Sequence, residues 1–424
     1  MELKLFNVAK IESASLKLNG ITVIAGNNNT GKSTIGKVVF SLFNSLVNIE
    51  EKVVRQKENL IFQFLRRKIE QDAFPSEETG YYNRISSTQL RHYARQLNAI
   101  ESEEGYRELL NIFMRYLSDK NKQEDTIKEM VEEIKKIKSL PMERLSKSAV
   151  SAYFNQIFYS EINSKYRADE KTIIDATITG KKLKIEFLNN ICVNMEQQVN
   201  ILNEAVYLDN PFVLNYLNNG TYGRNEIEQE TIKKLCKKTD AVEDVVQYSF
   251  IVDKMQEVLN KINEVASGSI STDEAQMYFY KEVDIDKINI NNLSAGLKSF
   301  IIIKTLLEKG ALKEKDILVL DEPEIHLHPA WQLVYAEVIV LLQKTFELTI
   351  VLTTHSAHFL DALNYYAQKY GVADKCNYYL SSVAQYGCVL QDVTNDLSQI
   401  YAQLVDPSIL LDKLKYKMEE EYED

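Results

Sequence analysis

Gly26-Asn27-Asn28-Asn29-Thr30-Gly31-Lys32-Ser33-Thr34 fits the pattern G-x-x-x-x-G-K-[ST] without a mismatch. Glycines let the backbone curl so that consecutive N–H groups point inward as an anion nest, and the helix that follows adds the positive end of its dipole. Lys32 supplies a point charge for the β- and γ-phosphates of a nucleotide, and Ser33 offers a hydroxyl to Mg2+. The flanks test this reading. Ile21-Thr22-Val23-Ile24-Ala25 has a strand pattern, with Asn19-Gly20 as a turn before it, and Ile35, Val38, Val39, Leu42, Phe43 and Leu46 follow at helical spacing. Strand, glycine-bounded loop and helix in that order argue against a chance glycine-rich turn.

Four later segments extend the pattern. Ile317-Leu318-Val319-Leu320 reads as a buried strand that ends in Asp321-Glu322. Charge at a strand end is costly unless something offsets it, and Mg2+ with its waters would do so. Asp321 would hold the metal through water, and Glu322 would polarise an attacking water. Thr353-Thr354-His355-Ser356 closes the next strand and places His355 where a γ-phosphate could be sensed. Leu293-Ser294-Ala295-Gly296 is weak alone, yet it lies 27 positions before Asp321 and just ahead of a helix starting near Leu297. A serine hydroxyl at a helix N-terminus makes a second anion site. One that cannot reach its own P-loop should serve a partner's. His326-Leu327-His328-Pro329, with Glu324, invites a metal reading. The preferred reading, implied by the family resemblance given below, is an interface segment whose polar groups bridge subunits.

Between these segments the chain alternates strand and helix: strands at 317–320 and 349–353 flank a helix at 331–343. That is α/β arithmetic for a mostly parallel, buried sheet. Residues 48–165 are helical and polar. Leu60, Phe64, Leu65 and Ile69 mark one helix, and Ile127, Met130, Val131, Ile134 and Ile137 another. Stripes this short exclude the long coiled coil of an SMC arm and predict a compact insertion. Strand signals return at 173–178, 183–187 and 205–208, followed by a helical stretch at 226–265, a hairpin near Tyr386-Gly387 and a charged tail. The expected division is 1–48 with 166–424 as a head, including a helical lobe at about 226–310, and 49–165 as an insertion.

A net charge of −11 argues against a surface that coats nucleic acid. Four scattered cysteines without a C-x-x-C pair predict reduced thiols of a cytoplasmic protein. Met1-Glu2-Leu3-Lys4 lacks a signal peptide's apolar core, and no stretch reaches the uncharged length of a membrane span.

Together these residues resemble the ABC class of P-loop ATPases, and within it the non-transporter branch of RecF, SMC proteins, and the OLD-type and PtuA-type ATPases of bacterial phage defence. The resemblance is carried by Leu3-x-Leu5-x-Asn7, by the run from Gly20 through Gly26-x-Asn28-x-x-Gly31 to Thr34, by Leu293-Ser294-Ala295-Gly296-x-Lys298-Ser299 and by Asp321-Glu322-Pro323-Glu324-x-His326-Leu327-His328-Pro329. It covers about 1–48 and 290–360. It implies an α/β ABC-type ATPase head with a mostly parallel sheet and a large helical insertion. It implies ATP and Mg2+ as ligands, with Gly26, Asn27, Asn28, Asn29, Thr30, Gly31, Lys32, Ser33 and Thr34 around the phosphates and Ser33 with Asp321 on the metal. It further implies Ser294, Ala295 and Gly296 acting in trans, Glu322 as catalytic base and His355 as switch. A homodimer or higher oligomer closed by ATP follows. So does an effector partner such as a nuclease, with DNA as a candidate ligand and no membrane. The family's Q-loop glutamine has no assigned counterpart, and Asp209-Asn210 or a glutamine elsewhere could stand in.

Two other classes compete. An ABC transporter's ATPase subunit would need far fewer than the 261 positions between Ser33 and Ser294. A nuclease or toxin in its own right needs a metal cluster away from the nucleotide. The residues after His355 hold no D-x-D, and Asp284-Ile285-Asp286 precedes the signature. Arg66-Arg67-Lys68 and Lys135-Lys136-x-Lys138 could touch phosphate but are interleaved with acids, as in solvated helix faces.

Overall fold

The computed structural model describes residues 1–72, 85–117, 123–197, 200–219, 224–237, 244–274, 277–282, 286–404 and 414–415. The acidic run at 419–424 and the Asp284-Ile285 pair lie outside the described residues, as does the side chain of Val252, one of the apolar positions that mark the helical stretch at 226–265. Two compact units result. Met1–Val47 with Tyr153–Asp424 forms one, and Asn48–Ala152 the other.

In chain order the larger unit contributes β1 (Glu2–Val8), β2 (Ile11–Lys17), β3 (Ile21–Gly26) and α1 (Lys32–Leu46). The smaller unit holds α2 (Ile49–Asp72), α3 (Ser87–Ala99), α4 (Glu103–Phe113), α5 (Gln123–Lys138) and most of α6 (Met142–Phe158). The chain then returns through β4 (Thr172–Ile178), β5 (Lys181–Leu188), β6 (Ile191–Gln197), β7 (Ala205–Leu208), the short α7 (Tyr216–Asn219), α8 (Glu226–Leu235) and α9 (Asp244–Asn263). It continues with β8 (Ser269–Thr272), β9 (Tyr278–Lys281), β10 (Ile288–Asn289), α10 (Ala295–Glu308) and β11 (Ile317–Asp321). Last come α11 (Pro329–Phe346), β12 (Thr349–Thr354), α12 (Ala357–Lys369), β13 (Cys376–Ala384) and β14 (Gly387–Asp392).

An eleven-stranded sheet runs β6-β5-β4-β1-β2-β14-β13-β3-β12-β11-β7. The α/β class expected from the sequence holds. The sheet is mixed, however, and not mostly parallel. β13, β3, β12, β11 and β7 are parallel neighbours, whereas β6, β5, β4, β1 and β2 pair antiparallel. Helical crossovers make the first half parallel, and tight turns such as Thr179-Gly180 and Asn189-Asn190 make the second antiparallel. The lobe preceding the signature is also less helical than expected, because β8, β9 and β10 form a small sheet of their own.

In the parallel half the strands are buried on both faces. On one face α1 packs closely: a Cβ at Gly36 would stand 2.8 Å from Val319 Cγ1 and 3.1 Å from Tyr207 Cε2. On the other, Leu318, Leu320, Ile350 and Leu352 join Phe300, Ile303, Ala336, Ile339 and Leu360 from α10, α11 and α12 in one core. Buried Glu337 ties helices within this layer: Lys261 of α9 lies 2.8 Å from its Oε2, and Lys369 of α12 lies 2.8 Å from its Oε1.

The smaller unit has its own core, with Ile61, Leu65, Leu90, Leu97, Leu110, Phe113, Met130 and Ile134 buried together. Most residues of its basic runs are paired with acids. Arg66 meets Glu70, Lys68 meets Glu129, Lys135 meets Glu103, Lys136 meets Glu133 and Lys138 meets Glu101.

Candidate active site

Strand order explains how residues almost 300 positions apart meet. β12 lies between β3 and β11, in register Ala25 to Thr354 and Thr353 to Asp321. The carboxyl ends of three parallel strands therefore deliver the glycine-rich loop, the acidic pair and His355 to one edge, where ligands bind in open α/β sheets.

The loop needs its two outer glycines. Gly26 has φ +150°, and a Cβ there would lie 2.5 Å from Ser381 O. Gly31 has φ +85°, with Ile11 Cδ1 only 2.6 Å from such a Cβ. Ser381 Oγ on β13 donates to Thr30 O at 2.7 Å, and Thr30 Oγ1 donates to Asn27 O at 2.8 Å. The loop is thus fixed from the sheet side, while Asn27, Asn28 and Asn29 stay exposed.

Lys32 opens α1 almost fully buried and donates through Nζ to Gly26 O and Asn27 O, both at 3.0 Å. Its Nζ also lies 3.4 Å from Glu322 Oε1. Glu322 has φ +49°, a left-handed backbone unusual for a non-glycine residue. Its N–H donates to Thr353 O at 3.2 Å and to Thr353 Oγ1 at 3.0 Å, and these bonds hold the kink.

Ser33 Oγ donates to Asp321 Oδ1 at 3.1 Å. The same oxygen accepts Thr353 Oγ1 at 2.5 Å, and Asp321 Oδ2 accepts the Tyr207 hydroxyl at 2.7 Å. Burial first, then the charge of Asp321, pushes the Tyr207 phenol well above its usual range, so it stays a neutral donor. A hydroxyl and a carboxylate side by side are hard oxygen donors of the kind Mg2+ takes, and so the donor set fits that ion.

Glu324 turns back under the site. It is buried, and its Oε1 accepts Thr354 Oγ1 at 2.5 Å and the His355 N–H at 3.2 Å. The His355 Nδ1 lies 3.6 Å from Glu322 Oε1 and 3.8 Å from Glu324 Oε1. Glu324, His326 and His328 do not converge. His326 packs edge-on against Phe212 with centroids 5.6 Å apart, and His328 caps α11 by accepting Ala330 N–H at 3.3 Å. Ile325, His326, His328 and Pro329 form an exposed ridge, and His358 is exposed as well.

Ser294 is the N-cap of α10 and accepts Leu297 N–H at 3.3 Å. Ala295 starts the helix. A Cβ at Gly296 would lie 3.0 Å from His326 O and 3.1 Å from Trp331 Cε3. The signature turn thus rests on its own chain's His326 ridge while the Ser294 side faces solvent. Deeper in α10, buried Lys304 donates to Asn263 Oδ1, Ala266 O, Ser267 O and Gly268 O. Desolvation lowers its ammonium, and the four acceptors tie α10 to the end of α9.

Asp209, the stand-in weighed for the missing Q-loop glutamine, follows β7 beside the acidic pair. Desolvation of its carboxyl, then the charge of Asp321, pushes it up to about 6. Asn210 instead caps its own turn, accepting Phe212 N–H at 2.9 Å.

Sequence reasoning missed Tyr207, Thr353 and Glu324. Two adjacent threonines ending an otherwise apolar strand were a readable signal for Thr353. Glu324 was weighed only as a metal ligand.

A family model described as an AAA ATPase domain matches residues 1–360. The Retron Ec83 probable ATPase of Escherichia coli is 29% identical over 148 residues, which is 28% of this chain and 27% of that protein. The chain thus spans about a quarter of that relative's length. Among solved structures, an SMC head bound to the C-terminal winged-helix domain of ScpA superposes with a TM-score of 0.43 at 10% identity, covering 92% of this chain and 97% of that one. The SMC head domain of Thermotoga maritima gives 0.35 at 10% identity, covering 92% and 98%. With the glycine-rich loop, acidic pair and histidine assembled at one sheet edge and the family model running through all of them, the chain belongs to the AAA ATPase domain family.

Proposed function

We propose that two copies of this chain close around ATP, and that this closure controls a separate effector protein of the nuclease type, in defence against phage or in DNA maintenance. The observation that carries the reading is a division of labour. Lys32, Glu322 and His355 meet within 3.4 and 3.6 Å, whereas Ser294 caps an exposed helix N-terminus and its polar contacts are with its own helix. One copy then supplies loop, base and histidine, and the other supplies Ser294 to the γ-phosphate.

In this reading Lys32 binds the β- and γ-phosphates. These compete with Glu322 for the same ammonium, and their binding frees the Glu322 carboxylate. Glu322, aimed by its left-handed backbone, accepts a proton from water as the water oxygen attacks the γ-phosphorus and the bond to the β-phosphate oxygen breaks. A general base contributes about 10²–10⁴-fold. Mg2+, held by Ser33 and Asp321, would neutralise charge on the phosphate oxygens. Thr353 and Tyr207 fix the Asp321 carboxylate, and His355 contacts the γ-phosphate and reports its loss.

Three observations support the wider role. The stretch shared with a retron's ATPase supports a place in defence. The paired basic runs of the smaller unit favour a protein effector over direct DNA binding. Four free cysteines fit the cytoplasm, and among the described residues no helix is long and apolar enough to cross a membrane.

The test is the ATPase rate per chain against chain concentration. A composite site predicts a rate that climbs with concentration and then levels off. A rate per chain that is flat from nanomolar concentration upward, in a protein that stays monomeric with ATP, contradicts it. The purified chain should also leave plasmid DNA uncut with Mg2+ or Mn2+. Cleavage that tracks the protein peak and survives Lys32→Ala would place a nuclease in the chain itself.

A further inference from the structure

The carboxylate of Glu324 has no part in the reaction outlined above, yet it is buried beside the site. Only 3% of the residue is exposed. It leaves the turn after β11 and reaches the end of β12, the neighbouring strand. Its Oε1 there accepts the Thr354 hydroxyl and the His355 N–H, at 2.5 and 3.2 Å. The same oxygen is 3.8 Å from the His355 Nδ1. Its backbone is pinned too: Glu324 O accepts Leu327 N–H at 3.0 Å and Gln332 Nε2 at 3.3 Å. A carboxyl this deeply buried is expensive to keep. Desolvation raises its proton affinity, and Oε2 has no hydrogen-bond partner.

We propose that Glu324 is the positioning residue of His355: its Oε1 accepts the backbone N–H and places a carboxylate beside the ring's Nδ1, so that the ring's other nitrogen is presented to the γ-phosphate. The inference rests on the reading of His355 as the residue that contacts that phosphate. Geometry gives the reason one acid does both jobs. The His355 side chain is 41% exposed and follows the last residue of β12, so packing alone holds its ring less firmly than that of a core residue. Glu322 Oε1 also lies 3.6 Å from Nδ1, but the proposed reaction commits that carboxylate to water. Glu324 stays in place, joined to both strand ends.

The test is a double-mutant cycle on the full chain, read as kcat and KM for ATP, with ATP binding measured by calorimetry as the check on the site. His355→Ala alone should lower kcat about 10–100-fold. Glu324→Ala alone should lower kcat by a comparable factor while KM changes less than about 3-fold. The double variant should be no slower than the slower single one, because Glu324 acts through His355. Glu324→Gln keeps an acceptor for Thr354 and His355 and should recover most of the rate; it also serves as the probe if the alanine variant does not fold. A wild-type rate in His355→Ala removes the reading on which the inference rests, and the inference with it. An impaired His355→Ala beside a normal Glu324→Ala, or losses that multiply in the double variant, overturns the inference alone.

Discussion

Thr353 Oγ1 stands 2.5 Å from Asp321 Oδ1 and, through the same hydroxyl, accepts the backbone N–H of Glu322 at 3.0 Å. One side chain on β12 therefore orients both acids at the end of β11. Thr353→Val keeps the shape and removes both bonds. Leaving buried polar groups unpaired costs about 1–3 kcal/mol. The expected result is a stable but less stable protein whose kcat falls at least about 10-fold while ATP affinity changes little. Steady-state kinetics beside a thermal melt checks it, and unchanged kcat would remove Thr353 from the site.

Lys32→Ala should abolish ATP binding in a calorimetric titration. It deletes the side-chain ammonium that Gly26 O and Asn27 O hold within the loop. Wild-type affinity in this variant would show that the loop is not the phosphate site.

Ser294→Arg should leave ATP binding intact and stop hydrolysis, since bulk and charge would fall on the partner's γ-phosphate. Mixed with Lys32→Ala protein, it should regain part of the rate. In such heterodimers both lesions can share one composite site and leave the other whole. A mixture as inactive as its components speaks against independent composite sites.

Asp209 gives a pH signature. Its carboxyl is raised in the fold to about 6 from an ordinary 3.8. A raised carboxyl favours the fold while protonated, so its contribution is present below 3.8 and is lost as pH rises through about 6. Asp209→Asn escapes that loss. Its melting temperature relative to the parent should therefore be higher at pH 8 than at pH 4, by an amount on the order of 1 °C for each kcal/mol in a chain of this length. A pH-independent difference between the two melts would contradict the assignment.

The parts of this fold that could be read in the sequence are those written locally. β3, β11 and β12 are apolar runs closed by polar motif residues, and α1 shows its stripe at helical spacing. β2 escaped notice because Ile11-Glu12-Ser13-Ala14-Ser15-Leu16-Lys17 buries only Ile11, Ala14 and Leu16, too few apolar groups to stand out. β6 at the sheet edge buries only Cys192, and the strands of the small β8-β9-β10 sheet are too short to show a pattern. The motifs named the loop, the acidic pair and His355 because each carries its chemistry in a few adjacent residues. The threonine pair that ends β12 is visible in the sequence, but the roles of Tyr207 and Thr353 could not be named that way. Their role exists only once β7, β11 and β12 lie side by side, and strand order is a long-range property. The signature was legible as a helix start, and Ser294 is indeed the cap of α10.

The central claim is that ATP joins two copies of the chain, and Glu322→Gln isolates that step. The amide keeps the shape of the side chain but cannot take the proton, so ATP should bind and persist. Light scattering of this variant with ATP and Mg2+ should show about twice the mass seen without nucleotide, and the added mass should vanish when Ser294→Arg is built into the same chain. A mass that stays that of the single chain at saturating ATP, or rapid hydrolysis by Glu322→Gln, would contradict the account.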